Sequence, residues 1–84
     1  MNERYQITCK SLDGYNHTIK SSKKAYTHAT FTTVSRFGNE EIWFAGYTTD
    51  ELKASKKRAE GCNNQKSGCT FVKNTVVKAT ATAI

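Results

Sequence analysis

Two stretches rich in threonine, aromatic and β-branched residues, 25–37 and 41–47, stand on either side of Gly38-Asn39. Such residues fit a pleated, half-buried surface. Glycine at the first central position of a two-residue loop suits a type II′ turn. The resulting β-hairpin commits the middle of the chain to antiparallel sheet and sets a register. Phe37 is expected opposite Glu40, Arg36 opposite Glu41, Val34 opposite Trp43, Thr33 opposite Phe44 and Thr30 opposite Tyr47. One face then carries Ala29, Phe31, Ile42 and Phe44, an apolar set that should meet the core. The other carries Thr30, Thr32, Val34, Arg36, Trp43 and Tyr47. Because side chains alternate along a strand, a one-residue slip would exchange the two faces.

The flanking sequence adds elements of both kinds. Residues 5–9 alternate with period two, Tyr5, Ile7 and Cys9 on one side and Gln6, Thr8 and Lys10 on the other, the pattern of a half-buried strand. Asp13-Gly14 marks a turn, 15–19 a short second strand, and Lys20-Ser21-Ser22-Lys23-Lys24 an exposed loop. After the hairpin, Thr48 is placed to cap a helix, with Glu51 closing a capping box and Asp50 at the positive end of the dipole. Good helix formers run to Glu60, and Gly61 suits the residue just past the end. Leu52, Ser55, Ala59 and Cys62 form a thin stripe suited to packing on a sheet, with Lys53, Lys56, Lys57 and Arg58 mostly outside it.

A loop over 61–68 leads to a long last strand over 70–83. Phe71, Val77, Ala79 and Ala81 share one of its faces, and Val76, Lys78, Thr80 and Thr82 the other. This strand is a candidate sheet edge, open to pairing with another chain or with its own copy as a homodimer. The expected fold is α+β: an antiparallel sheet of four or five strands with one α-helix, about 49–60, packed on one face. Residues 1–84 form a single domain on this reading.

A chain of 84 residues holds one core and buries only ~60% of the surface its unfolded form exposes. With 37% hydrophobic and 24% charged residues the composition is globular. No apolar run approaches the roughly 18 residues that span a bilayer, and the N-terminus reaches polar residues at once. No membrane partner is expected, and the expected location is the cytoplasm of the producing or host cell.

The groups that can carry chemistry have simpler explanations. Cys62 and Cys69 have six residues between them, wider than the roughly two to four usual within a zinc knuckle. A Cys62–Cys69 disulfide is geometrically easy, but a reducing compartment disfavours it. Cys9, alternating with Ile7, and Cys62, in the helix stripe, read as buried thiols. No glycine-rich elbow presents a serine, and neither His17, in a turn, nor His28, among threonines, has a nucleophile and orienting group nearby in the pattern. Asp50 and Glu51 read as helix-start residues, and 61–66 matches no phosphate-loop motif. The expectation is a non-enzymatic protein with no metal and no cofactor. The Thr-x-Thr repeats at 30–32 and 80–82 are too few for an ice-binding array and follow from threonine's preference for strands.

Charge points to partners. Thirteen Lys and Arg against seven Asp and Glu give +6, a surplus that favours nucleic acid, a nucleoprotein complex or an acidic protein surface. The basic residues fall into Lys20, Lys23 and Lys24 in one loop, Lys53, Lys56, Lys57 and Arg58 on the helix, and Lys66 in a second loop. Together with Arg36, Trp43 and Tyr47 on the hairpin these form the expected binding residues, the lysines meeting phosphates and the rings stacking on bases. The competing expectation is a protein-directed inhibitor or adaptor. In size and character alone, the chain is similar to phage-encoded anti-CRISPR and anti-restriction proteins that bind a host complex. No motif identifies such a family.

Overall fold

The computed structural model describes residues 3–59 and 68–84. In chain order the elements are β1 (Tyr5–Cys9), β2 (Ile19–Ser22), β3 (His28–Arg36), β4 (Asn39–Thr48), α1 (Glu51–Lys56) and β5 (Cys69–Ala83). The strands make one antiparallel sheet, a half-barrel in the order β2-β1-β5-β3-β4, joined by one short helix. β5 holds it together. Its fifteen residues outrun either neighbour, so β3 pairs with its first part, Cys69 to Lys78, and β1 with its last, Ala79 to Ala83. The last strand therefore lies in the middle of the strand order, each of its two parts paired with one neighbour. β2 and β4 are the edges. The second strand starts at Ile19 instead of 15, so Lys20 lies in a strand and not in a loop.

The hairpin forms with its turn one residue earlier than expected. Arg36 pairs with Asn39, and the central residues are Phe37 and Gly38, both at positive φ, the pattern of a type I′ turn. From Arg36 to Phe31 each β3 residue consequently meets a partner two places earlier on β4 than the expected one. Val34 faces Glu41, Thr33 faces Ile42 and Thr32 faces Trp43. An even shift preserves the faces. It also sets Phe31 against Phe44, edge to face with centroids 5.4 Å apart, a cross-strand pair that favours this register.

Bulges do exchange faces, one of them in β2 between the pairs Ile7–Ile19 and Tyr5–Ser22 and two more in the long strands. β4 has an extra residue at Ala45, between the pairs Thr30–Gly46 and Phe31–Phe44. β5 has one at Val72, between Thr33–Lys73 and Val34–Phe71. Each extra residue reverses the alternation beyond it. Tyr47 therefore turns to the side of Phe31, and Phe71 to the side of Thr32, both against expectation.

The Phe31 side holds the core. Ile7, Ala29 and Phe31 are fully buried and Tyr47 nearly so, packed with Tyr5, Cys9, Ile19, Tyr26, Phe44, Val77, Ala79 and Ala81. The cover over this side includes the 10–18 connection, whose His17 ring stacks on Phe44 at 4.0 Å and meets the edge of Phe31.

The helix is shorter than the sequence suggests. Asp50, and not Thr48, is the N-cap: its carboxylate accepts from the Leu52 and Lys53 amides, while the Thr48 hydroxyl donates to the Asp50 carbonyl. The helix stops at Lys56 because the following backbone is taken up by the sheet. The Asn74 amide group donates to the Ser55 and Lys57 carbonyls, and the Ala59 amide donates to the Thr32 hydroxyl. Thr30 Oγ1 donates to the Ala54 carbonyl at 2.6 Å. Ala54 and Ala59 are buried, whereas Leu52 and Ser55 of the expected stripe are exposed. The expected helix end at Glu60 and Gly61, and Cys62 with its possible disulfide, lie outside the described residues.

Candidate functional site

Alternation along the strands sorts the polar residues by side. In β1 the core-facing Ile7 and Cys9 leave Gln6 and Thr8 on the reverse. In β5 the core-facing Val77, Ala79 and Ala81 leave Lys78, Thr80 and Thr82 there. Pairing sets Thr8 opposite Thr80 and Gln6 opposite Thr82. Lys10 and Lys78 are the next residues outward from the Cys9–Ala79 pair, and Lys20 follows core-facing Ile19 on β2. All seven of these residues are exposed. The described carboxylates lie elsewhere: Glu3 before β1, Asp13 in the 10–18 connection, Glu40 and Glu41 by the hairpin turn, Asp50 and Glu51 at the helix start. Three lysines thus stand on a patch of neutral hydrogen-bonding side chains.

The residues singled out from sequence are dispersed differently. Lys20 lies in the irregular stretch of β2 across from Gln6, exposed as Lys10 and Lys78 are. Lys23 and Lys24 are exposed just past β2, where the Ser22 hydroxyl donates to the Lys24 carbonyl. Lys53 and Lys56 are exposed on α1. Arg58 lies over the Phe71 ring, its guanidinium carbon 4.2 Å from the centroid. Arg36 sits by the turn, 5.7 Å from the Phe37 ring. Trp43 is half-buried beside Thr32, but Tyr47 is in the core on the other side, so the expected Arg36–Trp43–Tyr47 face is not assembled. Lys66 lies outside the described residues. Lys10 and Lys78 are not among the binding residues expected from sequence. Their faces could be read from period-two alternation, but their adjacency depends on β1 pairing with β5 across most of the chain.

A second region is an open groove of about 420 Å³ on the Phe31 side, lined by His17, Thr18, Ile19, Tyr26, Phe44, Gly46, Tyr47 and Lys57. Its wall is built by the 10–18 connection, stitched by its own side chains. Asp13 accepts from the Tyr15 amide and the Ser11 hydroxyl and lies 2.7 Å from His17 Nε2. Burial alone would raise the Asp13 carboxyl. The bonds from Tyr15, His17 and Ser11 outweigh it and hold the group below its ordinary range. The Tyr47 hydroxyl donates to the His17 carbonyl at 2.8 Å, with Cys9 Sγ 3.5 Å away. Burial, and then the bond to Cys9, pushes that phenol well above its usual value. It is a structural group here and stays protonated.

Among the described residues no three His, Cys, Asp or Glu side chains come together to hold a metal, and no helix is long and apolar enough to cross a membrane. No family model, curated protein or solved structure matches the chain.

Proposed function

We propose that this chain acts by binding, without catalysis, and that what it binds is nucleic acid, alone or within a nucleoprotein complex. The observation that carries this reading is the exposure of Lys10, Lys20 and Lys78 along β1, β2 and β5 with Gln6, Thr8, Thr80 and Thr82, with none of the described carboxylates in those strands. Lysines meeting phosphates gain chiefly by releasing condensed counterions, and hydroxyl and amide side chains donate to phosphate oxygens without reading sequence. The bond from Thr30 to Ala54 supports α1 lying against the same side of the sheet, which adds Lys53 and Lys56 to the basic surface. The Asp13–His17 pair, the nearest approach to an acid–imidazole dyad, is spent on holding a ring against Phe44. The cytoplasm is the location that suits this reading.

Affinity for generic duplex DNA and single-stranded RNA, measured across a salt series, tests the proposal. Binding at low salt that falls linearly on a log–log plot is expected. Absent binding at low salt, or binding indifferent to salt, would contradict it. A partner retained from nuclease-treated lysate would instead favour an acidic protein surface as the target, the mode of a protein-directed inhibitor.

A further inference from the structure

The groove on the Phe31 side combines features that the basic patch lacks. Four rings line it: His17 stacked on Phe44, Tyr47 edge-on to Phe44 at 5.2 Å, and Tyr26 inclined by 30° to Tyr47 at 6.1 Å. Its volume lies within the roughly 300–1,000 Å³ that small-ligand pockets span. Lys57 belongs to the segment after α1, tied to the Thr32 side of the sheet, yet its side chain reaches this groove past edge strand β4. It passes at Gly46, where a β-carbon would lie 2.7 Å from Nζ. That glycine is at φ +129°, a backbone state that L side chains rarely adopt. The bulge at Ala45 and the glycine after it thus open a passage for a cation.

Among the described residues, no carboxylate, hydrogen-bond acceptor or ring face partners Lys57 Nζ. A half-buried lysine whose ammonium has no partner among the described residues, at a ring-lined groove, suits a ligand offering a flat ring and an anionic group together. Thr18 and the Tyr26 hydroxyl add hydrogen-bonding edges. We propose that this groove binds one nucleobase with its phosphate, the base against the rings of His17, Tyr26, Phe44 and Tyr47 and the phosphate on Lys57. Sequence reading grouped Lys57 with Lys53, Lys56 and Arg58 as one basic face; the structure separates it from them. The proposal does not depend on Lys10, Lys20 and Lys78, which lie on the reverse of the sheet, and the two can fail separately.

The test follows amide chemical shifts of the full chain by NMR during titration with a nucleoside monophosphate, the same nucleoside without phosphate, inorganic phosphate, and benzoate as a plain aromatic anion. The monophosphate is expected to move the signals of His17, Thr18, Ile19, Phe44, Gly46 and Lys57 and to bind tighter than the other three probes. Lys57→Met, which keeps the aliphatic stem, should weaken the monophosphate roughly tenfold, the size of a lost charge-assisted bond, and leave the nucleoside unchanged. Tyr26→Leu should weaken both. A phosphate-terminated dinucleotide in a parallel titration separates a strand end from a free nucleotide as the source of the group. Shifts confined to exposed lysines elsewhere, a nucleoside or benzoate binding as tightly as the monophosphate, or an unaltered Lys57→Met would overturn the proposal. An unchanged amide spectrum away from the groove shows that each variant is folded.

Discussion

The two sides of this sheet solve opposite problems with neighbouring residues of the same strands. On the Phe31 side, rings and aliphatic groups from all five strands close over one another. The Tyr47 hydroxyl and the Asp13 carboxylate are consumed internally, the first by His17 and the second by its own loop, leaving the groove at Lys57 open among the described residues. On the reverse, the part near Thr32 is sealed by hydrogen bonds to the 54–59 backbone, while the part near Thr8 and Thr80 is left uncovered with three lysines. One side is closed over its rings except at that groove. The other is divided between a seal and an open polar patch, and the difference separates residues whose loss should unfold the protein from residues whose loss should alter only what it binds.

The strongest break in that contrast is Phe31→Ala. Phe31 is fully buried and touches both Phe44 and His17, so its truncation should cost about 3–5 kcal/mol, a large share of the total stability of a small domain. Urea denaturation should show a much lower midpoint. Next comes Thr32→Val, near-isosteric but unable to accept from the buried Ala59 amide or donate to Asn74. An orphaned buried donor costs about 1–3 kcal/mol, and amide exchange should quicken at Ala59 before the sheet itself opens. Asp13 sharpens the comparison through pH. Its folded-state pKa is depressed, so its contribution is present above the ordinary value near 4 and is lost as pH falls through the lower folded value. Asp13→Asn should therefore be less stable than wild type near neutral pH, and the two denaturation midpoints should converge in strong acid.

The boundary between what could and could not be read from sequence follows the range of the interactions. Period-two alternation placed Ile7 and Cys9 against Gln6 and Thr8, and Val77, Ala79 and Ala81 against Lys78 and Thr80, because burial on one face writes itself directly into a strand. Ala29, Phe31, Ile42 and Phe44 kept their common face although the turn moved, since a two-residue shift leaves the pleat unchanged. Tyr47 and Phe71 were misplaced because a bulge adds a residue without any local mark beyond a glycine such as Gly46. The helix was drawn too long because its end is set by Asn74 and Thr32, distant in sequence. The basic patch shows the same limit: each of its faces was readable, but Lys10 and Lys78 become neighbours only when β1 pairs with β5. Lys57 was grouped with the helix lysines for want of any sign that its side chain passes Gly46.

The smallest stability effect belongs to the open patch, and it is the most informative about function. Replacing Lys10, Lys20 and Lys78 together with glutamine should leave the unfolding midpoint within about 0.5 kcal/mol of wild type, as for exposed residues without structural partners. The same triple variant should flatten the dependence of log affinity on log salt for duplex DNA by roughly 2–3 units, close to 0.9 for each phosphate contact removed. An unchanged slope, or a loss of affinity that matches a loss of fold, would contradict the proposal that this side of the sheet meets nucleic acid.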